Sequence, residues 1–452
     1  MSTFNTLLIP VESQVRELDG KILLACAAAE KGFNTIIGSR AYIHHHSSKV
    51  RNAVYLAKSM RRFSNRMFKI MNGLGHRIAA WDEEGLVRLP DEQYYMHRLS
   101  PTAFGYIDHL FAWGNSDANV FKNYSAYSNQ PVHITGNPRI DILRPELRSY
   151  FNPETNKIIE EHGNYILINT NFGQVNHFIP SVGNDEANRD KNFSENSNDD
   201  YIANRFKHKQ ILFNEFKNVI PLLAKIFPSI NIIVRPHPSE NVANWQHLFS
   251  EHTNIKVTNN GNVIPWIMGS KILISNGCTT SIEATLLNKP TLGYYPITND
   301  QIDDKLPKVL CDIASSNQSL IENVETILST DNKNSNKYHL LSNHINSLEG
   351  DFATDKIIST LSKNYIETSY SQRGILARSP SIVHNNARTL VKIIRSKKSS
   401  NRNSAAYHKH RFPPISIDYL HQRISRFQDL TGRFSDINVS QISDDIFKLH
   451  CK

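Results

Sequence analysis

Long apolar runs are missing from this sequence of 452 residues. No window approaches the ~20 uninterrupted apolar residues a membrane-spanning helix needs, and the densest run, Ile22 to Ala29, is short and sits inside an amphipathic pattern. Cysteine is scarce. Cys26, Cys278, Cys311 and Cys451 lie far apart without metal-ligand spacing, the pattern of reduced thiols in a cytosolic protein. Met1 to Asn5 show no basic flank leading into an apolar core, so no secretory signal is expected. Neither Gly-x-x-x-x-Gly-Lys-Ser/Thr nor Gly-x-Gly-x-x-Gly occurs, which argues against kinase-like and dehydrogenase chemistry. No acidic pair flanks an Asp-x-Asp of the kind that holds a metal–diphosphate. The consecutive His44, His45 and His46 cannot all face one ion, so a loop is expected there and no metal site.

Acid is also missing locally. Thr368 to Ile417 is 50 residues with no Asp or Glu and ten Lys/Arg. Outside it 41 basic residues stand against 42 acidic ones, so a near-neutral body carries one basic segment. A protein that coats nucleic acid uniformly is not expected.

What the sequence does hold is strand–helix alternation. Thr6 to Pro10 is an apolar run ending in a polar loop, Val11 to Gly20; Lys21 to Lys31 has helical periodicity, Gly32 closes it, and Asn34 to Ile37 resumes a strand. This is a βαβ unit of a parallel sheet. Arg51 to Met71 reads as a long basic amphipathic helix. Strands are expected at His76 to Trp81, His109 to Trp113 and Val132 to Thr135, with a helix from Ser116. Gly136 to Asp141, Pro145 and Pro153 mark a break. A second series starts at Tyr165 to Asn169, with further strands at Asn231 to Arg235, Ile255 to Thr258, Lys271 to Ser275 and Thr291 to Tyr295. Between them, Ser181 to Asp200 is rich in Asn, Asp, Ser and Glu, the composition of a mobile loop, and a helix follows from about Tyr201 to Ile226. Helices dominate from Asn299 to Lys363. The expected organisation is two Rossmann-like domains, 1–145 and 146–350, then a helical extension and basic tail, 351–452.

In such sheets ligands bind beyond the carboxyl ends of strands, so the loops there are the places to look for chemistry. Trp81 to Leu86 carries Asp82, Glu83 and Glu84 before Gly85. Crowded carboxylates raise one another's pKa toward a useful general base, although the same residues would serve as an acidic turn. Val234 to Glu240 pins His237 between Pro236 and Pro238, where an imidazole can donate to a phosphate or simply stiffen a turn. Ser275 to Ala284 runs from a strand through Gly277 into a helix with Thr279, Thr280, Ser281 and Glu283. This is a phosphate-binding helix start or an ordinary Ser/Thr cap. Cys278 reads as a packing residue, there being no activating base. Glu12, Arg16, Glu17 and Asp19 crowd the loop after the first strand, and Asn169 to Gly173 forms another candidate loop.

Together these residues make the chain resemble the bacterial surface carbohydrate biosynthesis protein family, and within it GT-B sialyltransferases and Kdo transferases. The features that carry the likeness are Arg16 to Gly20, Trp81 to Leu86, Gly136 to Asp141, His237-Pro238 and Ser275 to Ala284, over residues 5–350. The resemblance implies an α/β, GT-B-like fold with two Rossmann-like domains facing a cleft. It implies transfer of an acidic sugar (Kdo, sialic or a related nonulosonic acid) from a CMP-activated donor to a glycan acceptor, with no cofactor. Glu83 matches the general base, with Asp82 shifting the register and Glu84 or Asp82 available as nucleophile in a retaining route. His237 with Pro238 matches the donor-phosphate motif, Gly277, Thr279, Thr280 and Ser281 fall in the segment binding the same phosphate, and Glu283 matches a nucleotide-binding position. The acceptor is expected near Glu12, Arg16 and Arg139. In the absence of a metal motif, His237, the helix start and Arg139 or Arg235 must neutralise the departing phosphate.

Other readings stay open: a CDP-polyol phosphotransferase, a UDP-sugar 2-epimerase-like enzyme, or a non-catalytic scaffold of a polysaccharide assembly complex. For residues 387–411, an amphipathic stretch from Ala387 to Ile394 followed by Arg395, Lys397, Lys398, Arg402, Lys409 and Arg411 suggests an anionic membrane surface. Nucleic acid is not expected, because no aromatic-interleaved surface accompanies the charge. The expected location is the cytoplasmic face of the bacterial membrane, with a plain disordered tail as the simpler alternative.

Overall fold

The structure is a computed structural model, and it describes residues 3–179, 199–330, 337–369, 373–397 and 404–451. The chain forms two compact units: Met1–Tyr150 together with Leu341–Lys452, and Phe151–Leu340. The loop expected over 181–200 lies outside the described residues except for its last two positions, which begin the helix Asp199–Ile226.

In the first unit β1 (Thr6–Val11), β2 (Asn34–Ser39), β3 (Ala53–Ala57), β4 (Arg77–Ala80), β5 (His109–Ala112) and β6 (Val132–Ile134) lie parallel in the order β2-β1-β3-β4-β5-β6. Side chains from the inner strands of this row, including Leu8, Tyr55, Ile78 and Leu110, share one core with Phe68, Phe104 and Phe121. The second unit holds β7 (Tyr165–Asn169), β8 (Asn231–Arg235), β9 (Ile255–Val257), β10 (Ile272–Ser275), β11 (Thr291–Tyr294) and β12 (Asp312–Ala314), parallel in the order β12-β11-β10-β7-β8-β9. Ile166, Ile232 and Ile274 pack there with Phe216, Leu223 and Trp245.

Three readings need correction. The basic helix expected over Arg51 to Met71 is β3 followed by a shorter helix, Asn65–Gly73. All five residues of β3 are buried, so the alternation that marks a half-exposed strand is absent. His44, His45 and His46 lie in a helix, Arg40–His46, rather than a loop, and His44 is buried with Nε2 2.8 Å from the Tyr55 hydroxyl. Finally, 351–452 is not a trailing extension. After helices Ala353–Leu361, Ile375–Ser396, Ala405–Arg411 and Ile417–Thr431, the hairpin β13 (Ile437–Ser443) and β14 (Ile446–Cys451) adds antiparallel to β2 and completes an eight-stranded sheet. Burial of Phe447 and Leu449 drives that return, and an open β2 edge is covered by it.

Each parallel row reverses direction once. In the first unit the chain runs outward from β1 to β2, then continues on the other side of β1 with β3. In the second it runs β7-β8-β9, then returns to β10 beside β7. The crevices at the carboxyl ends of β1/β3 and β7/β10 are therefore where each sheet can take a ligand.

Candidate functional site

The β1/β3 crevice is filled with charge. Glu12, one residue past β1, lies 3.0 Å from both Arg40 and Lys58 and 3.9 Å from Arg411. Burial opposes its ionisation, but the three cations outweigh burial and hold the carboxyl far below the usual range. Glu17 is buried between Lys21, at 2.7 Å, and Lys58, and also accepts the backbone N–H groups of Glu12 and Ser13 at 3.1 Å each. Burial again works against the charge, and the two lysines keep this carboxyl ionised as well. Asp19 does not join them. It accepts the Tyr150 hydroxyl at 2.7 Å and lies 3.8 Å from Arg423, tying the first helix to the C-terminal helices.

The three successive carboxylates after β4 have three different environments. Asp82 is wholly buried and accepts the Tyr94 hydroxyl at 2.8 Å and Arg98 Nε at 2.9 Å. Burial pushes it up to about 7, against the lowering pull of Arg61 and the Tyr94 hydrogen bond. Glu83 is 2% exposed. Its Oε2 accepts the Trp81 indole N–H at 2.9 Å, and Lys21 and Arg139 stand 3.6 Å away on its two oxygens. Its Oε1 accepts no hydrogen bond among the described residues. Glu84 is the most exposed and takes both guanidinium nitrogens of Arg16, at 3.0 and 3.3 Å.

Two motifs distant in sequence supply the cations. Arg139 is the second residue of the short helix Pro138–Asp141, whose N-terminus Asn137 caps by accepting Arg139 N–H at 3.0 Å. A Cβ on Gly20 would stand 3.0 Å from Arg139 N and 3.1 Å from Pro138 C, so glycine lets the helix Gln14–Glu30 approach this turn without displacing it. Glu12, Arg16, Arg139 and Glu83 thus belong to one charged cluster.

In the second unit, β8 ends at Arg235 and delivers His237. The Ser239 backbone N–H donates to His237 Nδ1 at 3.2 Å, with Ser239 Oγ 2.7 Å from the same nitrogen. With Nδ1 accepting, the neutral ring carries its proton on Nε2. Glu240, 1% exposed, holds the loop: it accepts from His237 N at 3.0 Å, Phe172 N at 3.1 Å, Thr170 Oγ1 at 2.7 Å and Trp245 Nε1 at 2.9 Å. The Asn169 to Gly173 loop therefore lies against the loop that carries His237 and Pro238. Arg235 does not face a ligand position as expected. Its guanidinium donates to the carbonyls of Asn260, at 2.9 Å, and Gly261, at 3.1 Å, and so fixes the neighbouring turn.

β10 passes through Asn276 and Gly277, at φ +81°, into the helix Thr279–Leu286. Thr279 and Thr280 sit in its first turn. Ser281 is buried and its Oγ lies 2.7 Å from Ser275 Oγ, which makes it a strut rather than a ligand group. Glu283 is 6% exposed, on the second turn. The informative residues are polar, buried and unsatisfied: both side-chain atoms of Asn169 and Asn276, Thr280 Oγ1 and the Tyr295 hydroxyl have no hydrogen-bond partner among the described residues. Asn169 ends β7 and pairs in register with Ser275, the residue before Asn276. The Tyr295 hydroxyl, just past β11, would be 3.0 Å from a Cβ on Gly277. Leaving buried amides and hydroxyls unpaired costs about 1–3 kcal/mol each, so their concentration makes the β7/β10 crevice the candidate ligand position. Lys209, 8% exposed on helix Asp199–Ile226, is within electrostatic reach of Cys278 at that turn.

Tyr295 and Lys209 were not legible as site residues. Nothing local separates Tyr295 from a strand-end aromatic or Lys209 from a solvated helix lysine. Among the described residues no group of three His, Cys, Asp or Glu is arranged to hold a metal ion.

The fold is α/β and GT-B-like. No family model and no curated protein matches the sequence, whereas solved structures match the shape. UDP-GlcNAc 2-epimerase from Methanocaldococcus jannaschii, in complex with UDP-GlcNAc and UDP, aligns at TM-score 0.50 and 12% identity, over 79% of this chain and 99% of that one. UDP-GlcNAc 2-epimerase from Neisseria meningitidis, bound to UDP-GlcNAc, aligns at 0.50 and 15%, over 79% and 100%. The wall teichoic acid polymerase TagF, a histidine variant soaked with CDPG, aligns at 0.52 and 10%, over 81% and 90%.

Proposed function

We propose that the protein is a metal-independent GT-B glycosyltransferase of bacterial surface polysaccharide biosynthesis. It moves an acidic sugar from a CMP-activated donor to a glycan acceptor, lipid-linked at the cytoplasmic face of the membrane. The observation that carries this reading is the set of unpaired amides and hydroxyls at the β7/β10 crevice, Asn169, Asn276, Thr280 and Tyr295, next to a helix N-terminus. Side-chain amides offer a donor and an acceptor to a pyrimidine edge, and the helix start with Thr280 offers donors to a phosphate. His237 Nε2–H donates to the phosphate oxygen as the bond to the anomeric carbon breaks. The acceptor hydroxyl attacks that carbon and gives its proton to Glu83, whose Oε1 has no competing hydrogen bond. Arg16, Arg139 and Glu12 bind the acceptor. Asp82, fully buried and engaged by Tyr94 and Arg98, is assigned to positioning. Glu84 is the carboxylate that a retaining route would use.

A second reading, attack on the phosphorus of a CDP-polyol, is favoured by the likeness to TagF; it uses the same nucleotide site. A third, a UDP-sugar 2-epimerase, is favoured by the likeness to the two epimerases. The test is a donor panel of CMP-, CDP- and UDP-linked substrates, scored for release of the nucleotide. The account expects turnover of a CMP-sugar, with His237→Ala and Glu83→Gln each lowering transfer by about 100-fold or more while Glu83→Gln leaves CMP affinity unchanged. Turnover of CDP-polyols alone or UDP-sugars alone would replace the first reading.

A further inference from the structure

The helix Ile375–Ser396 is packed inside out. Its polar side chains face the first unit. Arg378, 5% exposed, donates from Nε to the Leu74 carbonyl at 2.8 Å and from Nη2 to the Val50 carbonyl at 2.7 Å. Asn385, fully buried, donates to the His44 carbonyl at 3.0 Å. Ile382 packs on the core, but a row of apolar side chains faces away: Leu376 is 87% exposed, Val383 67%, Leu390 60% and Ile394 59%. Steps of seven and then four residues return to nearly the same side of a helix, so these four form one ridge about 27 Å long. Single exposed leucines are ordinary in a folded protein, but a continuous ridge marks a surface that something covers.

Charge says what covers it. The ridge is carried by residues 368–417, and the helix packs against Asn65–Gly73 in residues 31–81. Each of these segments contains ten Lys/Arg and no Asp or Glu; Arg40, Lys58 and Arg411 pair with Glu12, but Arg62, Arg66 and Lys69 on one side and Arg373, Arg395 and Lys397 on the ridge helix's own segment are exposed. Phe63, 66% exposed, adds an apolar side chain between exposed Arg62 and Arg66, and Arg66 Nε lies 2.9 Å from His384 Nε2 on the ridge helix. The face is therefore apolar along its crest and cationic on its flanks. A second copy would bring like charges together, and a nucleic acid would leave the ridge in water. Lipid acyl chains take the crest and anionic headgroups the flanks.

We propose that this face lies in the headgroup boundary of an anionic bilayer, as an interfacial helix that does not span. The inference is independent of the donor chemistry, because vesicle binding reads no catalysis. The test floats the full chain with vesicles of phosphatidylcholine alone or mixed with phosphatidylglycerol, beside a variant carrying Leu376→Ser, Val383→Ser, Leu390→Ser and Ile394→Ser. These side chains are exposed, so the variant should keep its unfolding temperature, and that is measured alongside. The protein should float with phosphatidylglycerol vesicles, at least roughly tenfold less with phosphatidylcholine alone, and the variant should lose roughly tenfold or more of its partitioning. Three results would overturn the proposal: no flotation with phosphatidylglycerol, equal flotation of the variant, or a dimer in light scattering that the variant alone dissolves.

Discussion

Glu240 and Gly173 show how finely the second site is set at the scale of single residues. Glu240 gathers four donors and aligns the His237 loop with the Asn169 to Gly173 loop. Gly173 allows the contact, since a Cβ there would stand 2.1 Å from Ser239 Oγ, the oxygen next to His237 Nδ1. Gly173→Ala should therefore push Ser239 off the imidazole and lower nucleotide release by roughly tenfold to 100-fold, and Ser239→Ala in the same chain should restore part of it. Equal activity in Gly173→Ala would show that the loop tolerates the shift. The placement of His237 and Thr279–Thr280 just past strand ends was legible in the sequence from residue type. The parts that were not legible are those whose meaning is the lack of a partner. Asn169 and Asn276 look like loop asparagines until burial shows both amides unpaired. Arg235 looked like a phosphate ligand until two carbonyls were found to occupy it.

Among the elements, the C-terminal ones are built into the first unit by specific groups. Asp141 caps the helix Ala353–Leu361 from 212 residues away, accepting Ala353 N–H at 2.9 Å and Thr354 N–H at 2.8 Å. Burial pushes its carboxyl up to about 6, against the lowering pull of the backbone hydrogen bonds from Thr354 and Ala353. A carboxyl whose folded pKa is raised binds its proton more tightly in the folded state. Its contribution is thus fully present below the unfolded value near 4 and is lost as pH rises through about 6. Urea midpoints measured from pH 4 to 7 should show that decline in the parent and a flatter profile in Asp141→Asn; parallel profiles would contradict it. Truncation before Ile437 removes Ile446, Phe447 and Leu449, each buried, at about 1.5–3 kcal/mol apiece, and bares β2. The expected outcome is loss of soluble protein, read as the pelleted fraction. The sequence did not reveal this hairpin, since strand pairing across some 400 positions leaves no local periodicity, and β3 hid because both its faces are buried.

For the whole molecule, each unit gathers its polar side chains where its own sheet reverses direction. The first does so with ion pairs around Glu12, Glu17 and Glu83, the second with unpaired amides and hydroxyls around Asn169 and Asn276. The proposal of a nucleotide site rests on that difference: ion pairs hold the first cluster, Glu83 Oε1 excepted, whereas the second leaves amides and hydroxyls open to the hydrogen bonds of a nucleotide. The alternation of strands and helices made this architecture readable in advance, and the placement of the C-terminal segment was the part it could not supply. The most direct test is calorimetric titration of the full chain with CMP, repeated with Asn276→Ala and Thr280→Val. The account predicts binding between about 1 μM and 1 mM and a roughly tenfold loss in each variant. An absence of CMP binding, or affinities equal in all three proteins, would contradict it.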